Sequence, residues 1–301
     1  MPETIGQIES DGLLVAVLPP ADEWHSLCGH VRVWNARNGS VQRVRAVRTC
    51  TDSYTVDLAL GGGRLFALSG YAPPFQQGAT ETELTATRLA DPKLEVAASG
   101  WWTEEDAGTE ITAVEADGDA AVYSVDQASL DDRSPASIQW WRSGEQREVT
   151  AARAAGEVLA VDETGRILVR RPHGIWLLRG DGSVLQRLPD AADARSGRRR
   201  VVAIGAGTLT IYDALSARVL RRVPLAGKTE PLELADADDE FAVVVVGARL
   251  RLVRLADGRQ VELRTPAATA PAASLEPEGF FYASGMRLGF VTRSQLERAF
   301  R

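Results

Sequence analysis

Lysine is almost missing from this sequence: of its 34 basic residues only Lys93 and Lys228 are not arginine. With 41 acidic residues the net charge is −7. A chain of that sign has no basic field to release counterions, which excludes nucleic acid and anionic membrane surfaces as partners. The one basic run, Arg198 to Arg200, leads directly into the apolar run Val201 to Ile204 and reads as the solvated start of a strand. Long apolar runs are missing too. No stretch of 18 apolar residues occurs, so nothing here inserts in a membrane as a helix. No charged-then-apolar leader opens the chain, so the protein is either cytoplasmic or secreted after removal of its signal. Helical periodicity is nearly absent outside SQLERAF (294–300), where Ser294 with Glu297 is expected to cap a short helix. Catalytic signatures are missing as well. There is no G-x-S-x-G elbow, and Gly61 to Gly63 falls in a β-turn rather than a phosphate-cradling loop. No catalytic residue, metal ligand or cofactor is therefore assigned.

What is present is a repeat. The 301 residues, 45% hydrophobic and 25% charged, fall in the range of one β-rich domain, taken as 1–301. VRVWNARNGSVQRV (31–44), GIWLLRGDGSVLQRL (174–188), TLTIYDALSARVLRRV (208–223) and RLRLVRLADGRQVEL (249–263) share one pattern of strand, polar turn and strand. ETELTATRLADPKLEV (81–96) and SIQWWRSGEQREV (137–149) are weaker copies. Turn centres near 39, 91, 144, 182, 217 and 258 recur about every 44 residues, the period of a four-stranded propeller blade. Ahead of most hairpins lies a second unit, a short strand, an acidic or Gly turn and an apolar strand, as in QIESDGLLVAVL (7–18) and LELADADDEFAVVVV (232–246). Seven such blades fill the chain. The expected fold is all-β, a seven-bladed β-propeller of four-stranded antiparallel blades, with residues around Thr4 to Gln7 closing the ring as the last blade's fourth strand. A pair of β-sandwiches would not require so regular a period, and a β-helix would want shorter coils.

VDLALGGGRLFALSGY followed by ETELTATRLADPKLEV, and in the C-terminal half GRILVRRPHGIWLLRGDGSVLQRLP, GTLTIYDA, LRLVRLADGR and LEPEGFFYASGMRLGFVTRSQLERAF, resemble uncharacterised actinobacterial secreted β-propeller proteins. The resemblance covers most of the chain. That group is broadly similar to WD-repeat and PQQ-like propellers, and its members usually carry a secretion signal. It implies a fold and an export route but no activity. The Gly-His and Trp-Asp hallmarks of true WD repeats are absent.

Cys28 and Cys50, the only cysteines, flank the first hairpin. With Asn38 and Gly39 as a two-residue turn they fall within one residue of facing each other, which is close enough for a disulfide and points to an oxidising compartment. Asp22, Glu23, His25, Cys28, His30 and Cys50 also cluster as conceivable zinc ligands, but their spacing fits no common zinc module. His173 reads as a turn residue, and the acidic clusters Asp236, Asp238, Asp239, Glu240 and Asp162, Glu163 as turn formers.

In a propeller, the loops joining strands two and three share a face with those between blades. The expected loops 19–29, 70–80, 99–108 and 126–136, all in blades one to three, are long and carry Trp24, His25, Tyr71, Phe75, Trp101 and Trp102. Long loops bearing aromatics point to recognition, so these six residues are the candidate binding set. The aromatics could equally pack those loops onto the ring, with Trp102 in a core between blades. The expected function is a monomeric, non-enzymatic scaffold binding a protein, peptide or glycan. The alternative is a propeller hydrolase, lyase or lactonase with a metal-dependent site in the axial channel, marked by convergent polar side chains there.

Overall fold

A strand covered on both faces can be apolar throughout, whereas one with a solvated face must alternate. FAVVVV (241–246) is buried at every position, and RLFALSGY (64–71) at all but its last. VLRRVP (219–224) is buried only at Val223. The first two are second strands of four-stranded sheets and the last is an outer strand, as expected when sheets stand radially and press both faces on their neighbours. The computed structural model describes residues 7–18, 30–48, 53–71, 79–103, 105–129, 132–148, 155–162, 164–225, 232–263, 272–284 and 287–301.

Seven antiparallel sheets follow one another in chain order. Blade one comprises β1 (Gln7–Asp11), β2 (Leu14–Leu18), β3 (His30–Asn35) and β4 (Val41–Arg45); blade two, β5 (Ser53–Gly61), β6 (Arg64–Tyr71), β7 (Thr80–Arg88) and β8 (Leu94–Trp102). Blade three holds β9 (Gly108–Asp117), β10 (Ala120–Ala128), β11 (Arg133–Arg142) and β12 (Glu145–Glu148); blade four, β13 (Glu157–Val161), β14 (Ile167–Arg171), β15 (Gly174–Leu178) and β16 (Val184–Leu188). Blade five is β17 (Asp193–Ser196), β18 (Arg200–Gly205), β19 (Thr208–Asp213) and β20 (Val219–Pro224); blade six, β21 (Leu232–Ala237), β22 (Phe241–Val246), β23 (Arg249–Arg254) and β24 (Gln260–Leu263). Blade seven is β25 (Ala272–Glu276), β26 (Gly279–Ser284) and β27 (Arg287–Thr292), followed by helix α1 (Arg293–Ala299). First strands touch first strands around the whole ring, β25 against β1 included, so they line the axis. The seven-bladed propeller expected from the repeat is the observed fold.

One apolar cluster fills each of the seven seams. The seam between blades five and six is the fullest. It holds Val202, Ile204, Leu209, Ile211 and Val223 against Leu234, Val244, Val246 and Val253.

Two local expectations are corrected, and a third, ring closure by residues around Thr4 to Gln7, falls mostly outside the described residues. Gln7 does not close blade seven. It opens the innermost strand of blade one, residues 1–6 lie outside the described residues, and β27 pairs only with β26 among those described. The described junction between the chain's two ends is side-chain packing: Ile8, Val15 and Val17 meet Phe281 and Ala283, and Ser10 Oγ lies 2.7 Å from both Ser274 Oγ and Glu276 Oε1. The helix starts from Thr292 instead of Ser294, with the Gln295 side chain accepting the Thr292 N–H at 2.9 Å, and Leu296 and Phe300 pack into the blade six–seven seam.

The second correction is register. Asn35 N–H donates to Ser40 O and Gly39 N–H to Asn35 O, so the hairpin closes with a five-residue turn and His30 faces Arg45 rather than position 47. The same two bonds recur at Asp213 with Ala217 and Arg218, and at Arg254 with Gly258 and Arg259. In each, the fourth turn residue has positive φ, +70° at Gly39, +78° at Gly258 and +59° at Ala217, a conformation glycine adopts freely and alanine at a cost. The pairing that would bring Cys28 and Cys50 within one residue of facing is therefore not the observed one. Both cysteines lie outside the described residues.

Candidate functional site

The axis carries the unusual chemistry. Each first strand enters from the side of the interblade connections and leaves at the turn to the second strand, so alternate side chains point into the channel. Bulges in β5 between Thr55 and Asp57 and in β21 between Leu234 and Asp236 shift that alternation. They place both carboxylates at a seam, where each ties its own strand to the next blade. Asp57 accepts the N–H groups of Leu58 (2.9 Å) and Val114 (3.0 Å), and Asp236 those of Ala237 and Leu275 (both 2.7 Å).

Two cavities meet along the axis. One, of about 540 Å³, reaches Gln7, Asp57, Thr112, Glu157 and Asp193; the other, of about 220 Å³, reaches Ser10, Asp236, Ser274 and Glu276. Glu9, Glu115, Leu159 and Arg195 line both and form the waist. Five of the lining carboxylates, Glu9, Asp57, Glu115, Asp236 and Glu276, have no ion pair among the described residues, because Arg195 spends its hydrogen bonds on Asp193 Oδ1 (2.8 Å) and Ala194 O (2.9 Å) and Arg170, in the wider cavity, pairs with Glu157 at 2.7 Å.

Enclosure without ion pairing penalises the charged form of each acid. Burial, and then the charge of Asp57, push Glu9 up to about 8 against the Gln7 hydrogen bond of 3.0 Å. Burial, then Glu9 and Asp57, hold Glu115 well above the usual carboxylate range. Asp236 is raised to about 6 by burial, countered by the Leu275 N–H and Arg195, and Glu276 to about 7 by burial, countered by the Ser10 hydroxyl. Burial also raises Asp57, against its hydrogen bonds from Val114 and Gln7. Burial alone would lower Arg195, but Asp193, Asp236 and Glu115 hold it above its ordinary value.

The aromatic candidates divide. Trp24, His25 and Phe75 lie outside the described residues, as do Asp22, Glu23, Cys28 and Cys50 of the zinc cluster, whose His30 stands in β3. Tyr71, Trp101 and Trp102 are strand residues rather than loop residues, because the seven strands from β5 to β11 run 8 to 10 residues where every other described strand has 4 to 6. The connections on that face are correspondingly shorter than expected, since β10 reaches Ala128 and β11 restarts at Arg133. The extra residues all extend away from the first-to-second-strand turns, so blades two and three overhang their neighbours on one face.

On this overhang Tyr71, Glu81 and Trp101 stand in one cross-strand row, and Trp101 is 42% exposed. Glu81 and Glu83 both face Arg48, which puts the row on the side toward blade one. Trp102 takes the opposite side of the sheet, under the Arg133 guanidinium at 5.9 Å, with its indole N–H buried and unpartnered among the described residues. The candidate binding set holds both tryptophans, with a core between blades as the alternative place for Trp102; the structure puts Trp101 at the surface and Trp102 between blades.

Of the acidic clusters, Asp162 and Asp238 do form turns: Asp162 accepts the N–H groups of Thr164 and Arg166, and Asp238 those of Glu240 and Phe241. Asp236 does not, being aimed at the axis. His173 lies in the two-residue turn between β14 and β15, as expected. Among the described residues no group of three or more His, Cys, Asp or Glu is disposed to hold a metal ion, and no helix is long and apolar enough to cross a membrane.

No family model and no curated protein matches the chain. Among solved structures it is similar to a chain of a crystal structure of a mitotic checkpoint complex, with a TM-score of 0.63 over 96% of this chain and 89% of that one. Identity is 12%, so the likeness is one of fold alone, and that fold is a WD40-like seven-bladed propeller.

Proposed function

We propose that the chain is a non-enzymatic, monomeric interaction scaffold that receives a protein or peptide partner on the face raised by blades two and three. The observation carrying this reading is the overhang with its row of half-buried Tyr71, Glu81 and exposed Trp101, since an exposed tryptophan flanked by a carboxylate and a second aromatic is a typical anchor of a recognition surface. The likeness to a chain from a multi-protein assembly agrees with it. Proteins retained by the wild-type chain should be lost with Trp101→Ala and kept with Trp34→Ala, a tryptophan 38% exposed near the opposite face. Equal retention by both variants refutes the reading, provided both melt as the wild type does.

A glycan in place of a peptide is distinguished on a glycan array with the same variants. Secretion and a Cys28–Cys50 disulfide belong to this reading too, supported by the resemblance to exported propellers and by two cysteines flanking one hairpin. Two alkylated thiols in both the folded and the denatured protein would remove that part. A channel hydrolase, lyase or lactonase is the second reading. Its support is the presence of five buried carboxylates along the axis, and calcium and zinc analysis of the purified protein tests it.

A further inference from the structure

We infer that the axial channel is a binding site for a linear polyamine, held by carboxylates spaced along the axis. Three observations carry this, none of which depends on the rim surface. First, the two cavities form one passage, and its acids are distributed along it rather than gathered at a point. Asp57 stands in the wider cavity, Glu9 and Glu115 at the waist, and Asp236 and Glu276 in the narrower cavity. Second, none of these five makes an ion pair with a described residue, and the two guanidiniums that line the passage are engaged by other carboxylates, Arg195 by Asp193 at 2.8 Å and Arg170 by Glu157 at 2.7 Å. Third, the waist holds unanswered acceptors. Glu115 is enclosed by the ring, lines both cavities and receives no hydrogen bond from any described residue. The Thr112 hydroxyl in the wider cavity is likewise buried without a partner.

The arrangement selects the class of ligand. A single divalent ion needs several oxygens converging within one coordination sphere, and no such group exists among the described residues. A monoamine could satisfy one level of the channel and leave the others uncompensated. A flexible chain with ammonium groups a few methylenes apart can meet each level in turn, and its methylenes can lie against Leu159, Ala160 and Ala235 between them. Binding needs carboxylates in their charged form, so the ligand must displace the protons that burial keeps on them near neutral pH.

Isothermal titration with spermidine tests the assignment. One spermidine should bind per chain at pH 8.5, at least tenfold more tightly than propylamine and at least tenfold more tightly than at pH 5.5. Repeating the titration at pH 7 in buffers of different ionisation enthalpy should show net proton release. Surface carboxylates are already ionised at that pH and release none, so this reading on the unmodified protein separates channel from surface. Glu115→Gln should weaken binding at least tenfold, while Asp181→Asn, at an exposed hairpin turn, should leave it unchanged. Absence of spermidine binding, binding without proton release, or one-for-one displacement by calcium or magnesium would each overturn the proposal.

Discussion

The Asp57 carboxylate is hydrogen-bonded to Val114 across a blade boundary, at 3.0 Å, while it also accepts the N–H of its own neighbour Leu58. Both N–H groups belong to residues that are 1% exposed, so neither has water to turn to if the carboxylate is removed. Asp57→Ala should lower stability by about 2–4 kcal/mol, since two buried donors lose their acceptor. Asp57→Asn keeps an acceptor oxygen and removes a charge that repels Glu9, so it should melt closer to the wild type than Asp57→Ala does. Equal losses in thermal melts of the two would show that the charge, not the acceptor, holds the seam.

Stability should fall as pH rises from about 5 to about 8. The folded values of Asp236, Glu276 and Glu9, about 6, 7 and 8, stand above their ordinary values of 3.8, 4.5 and 4.5. The folded chain therefore binds more protons than the unfolded one across that window, and the stabilisation, complete at low pH, is lost as each group ionises. Calorimetric melts at pH 5.5 and pH 8 should show the lower Tm at pH 8, and Glu9→Gln should reduce the difference. A Tm that is flat or rising over this range would contradict the enclosure of these acids.

Ala217 holds φ +59° at the turn position where Gly39 and Gly258 stand in sister blades. Ala217→Gly should relieve that strain and raise stability by about 0.5–1 kcal/mol, a shift of about 1–3 °C in Tm. A decrease would mean that the added conformational entropy of the unfolded chain outweighs the relief.

The two adjacent tryptophans should respond in opposite ways. Trp102→Ala empties a site between blades under Arg133 and should cost about 2 kcal/mol or more, whereas Trp101→Ala at an exposed position should stay within about 0.5 kcal/mol. Comparable losses in urea titrations of the two would show that Trp101 also packs.

The blade count and the order of strands were legible because the turn chemistry recurs at a fixed interval and the second strands, such as FAVVVV, are apolar throughout. Register was less legible. The Asn38–Gly39 pair suggests a two-residue turn, and only the bond from Asn35 to Ser40 reveals the wider one. The channel was missed for a related reason. Asp236 lies in an acidic run that reads as turn, and a bulge, which leaves no mark in composition, turns it toward the axis. Glu9 and Glu115 lie in first strands whose alternation would have exposed them, had QIESD and TAVEAD been compared as equivalents. That Trp101 and Trp102 lie on opposite sides of a sheet follows from strand geometry once β8 is known to reach Trp102, and the length of β8 is what the sequence hid.

The unequal strands have a consequence for how anything could approach the molecule. Seven identical blades would present the same surface every seventh of a turn, and a ligand centred on the axis could dock in any of seven rotations. The step between the long strands of blades two and three and the short ones elsewhere removes that degeneracy, because only one azimuth places a partner against a wall. A disc with a step has a heading. Whatever rests on this face is oriented about the axis before any individual side chain is read.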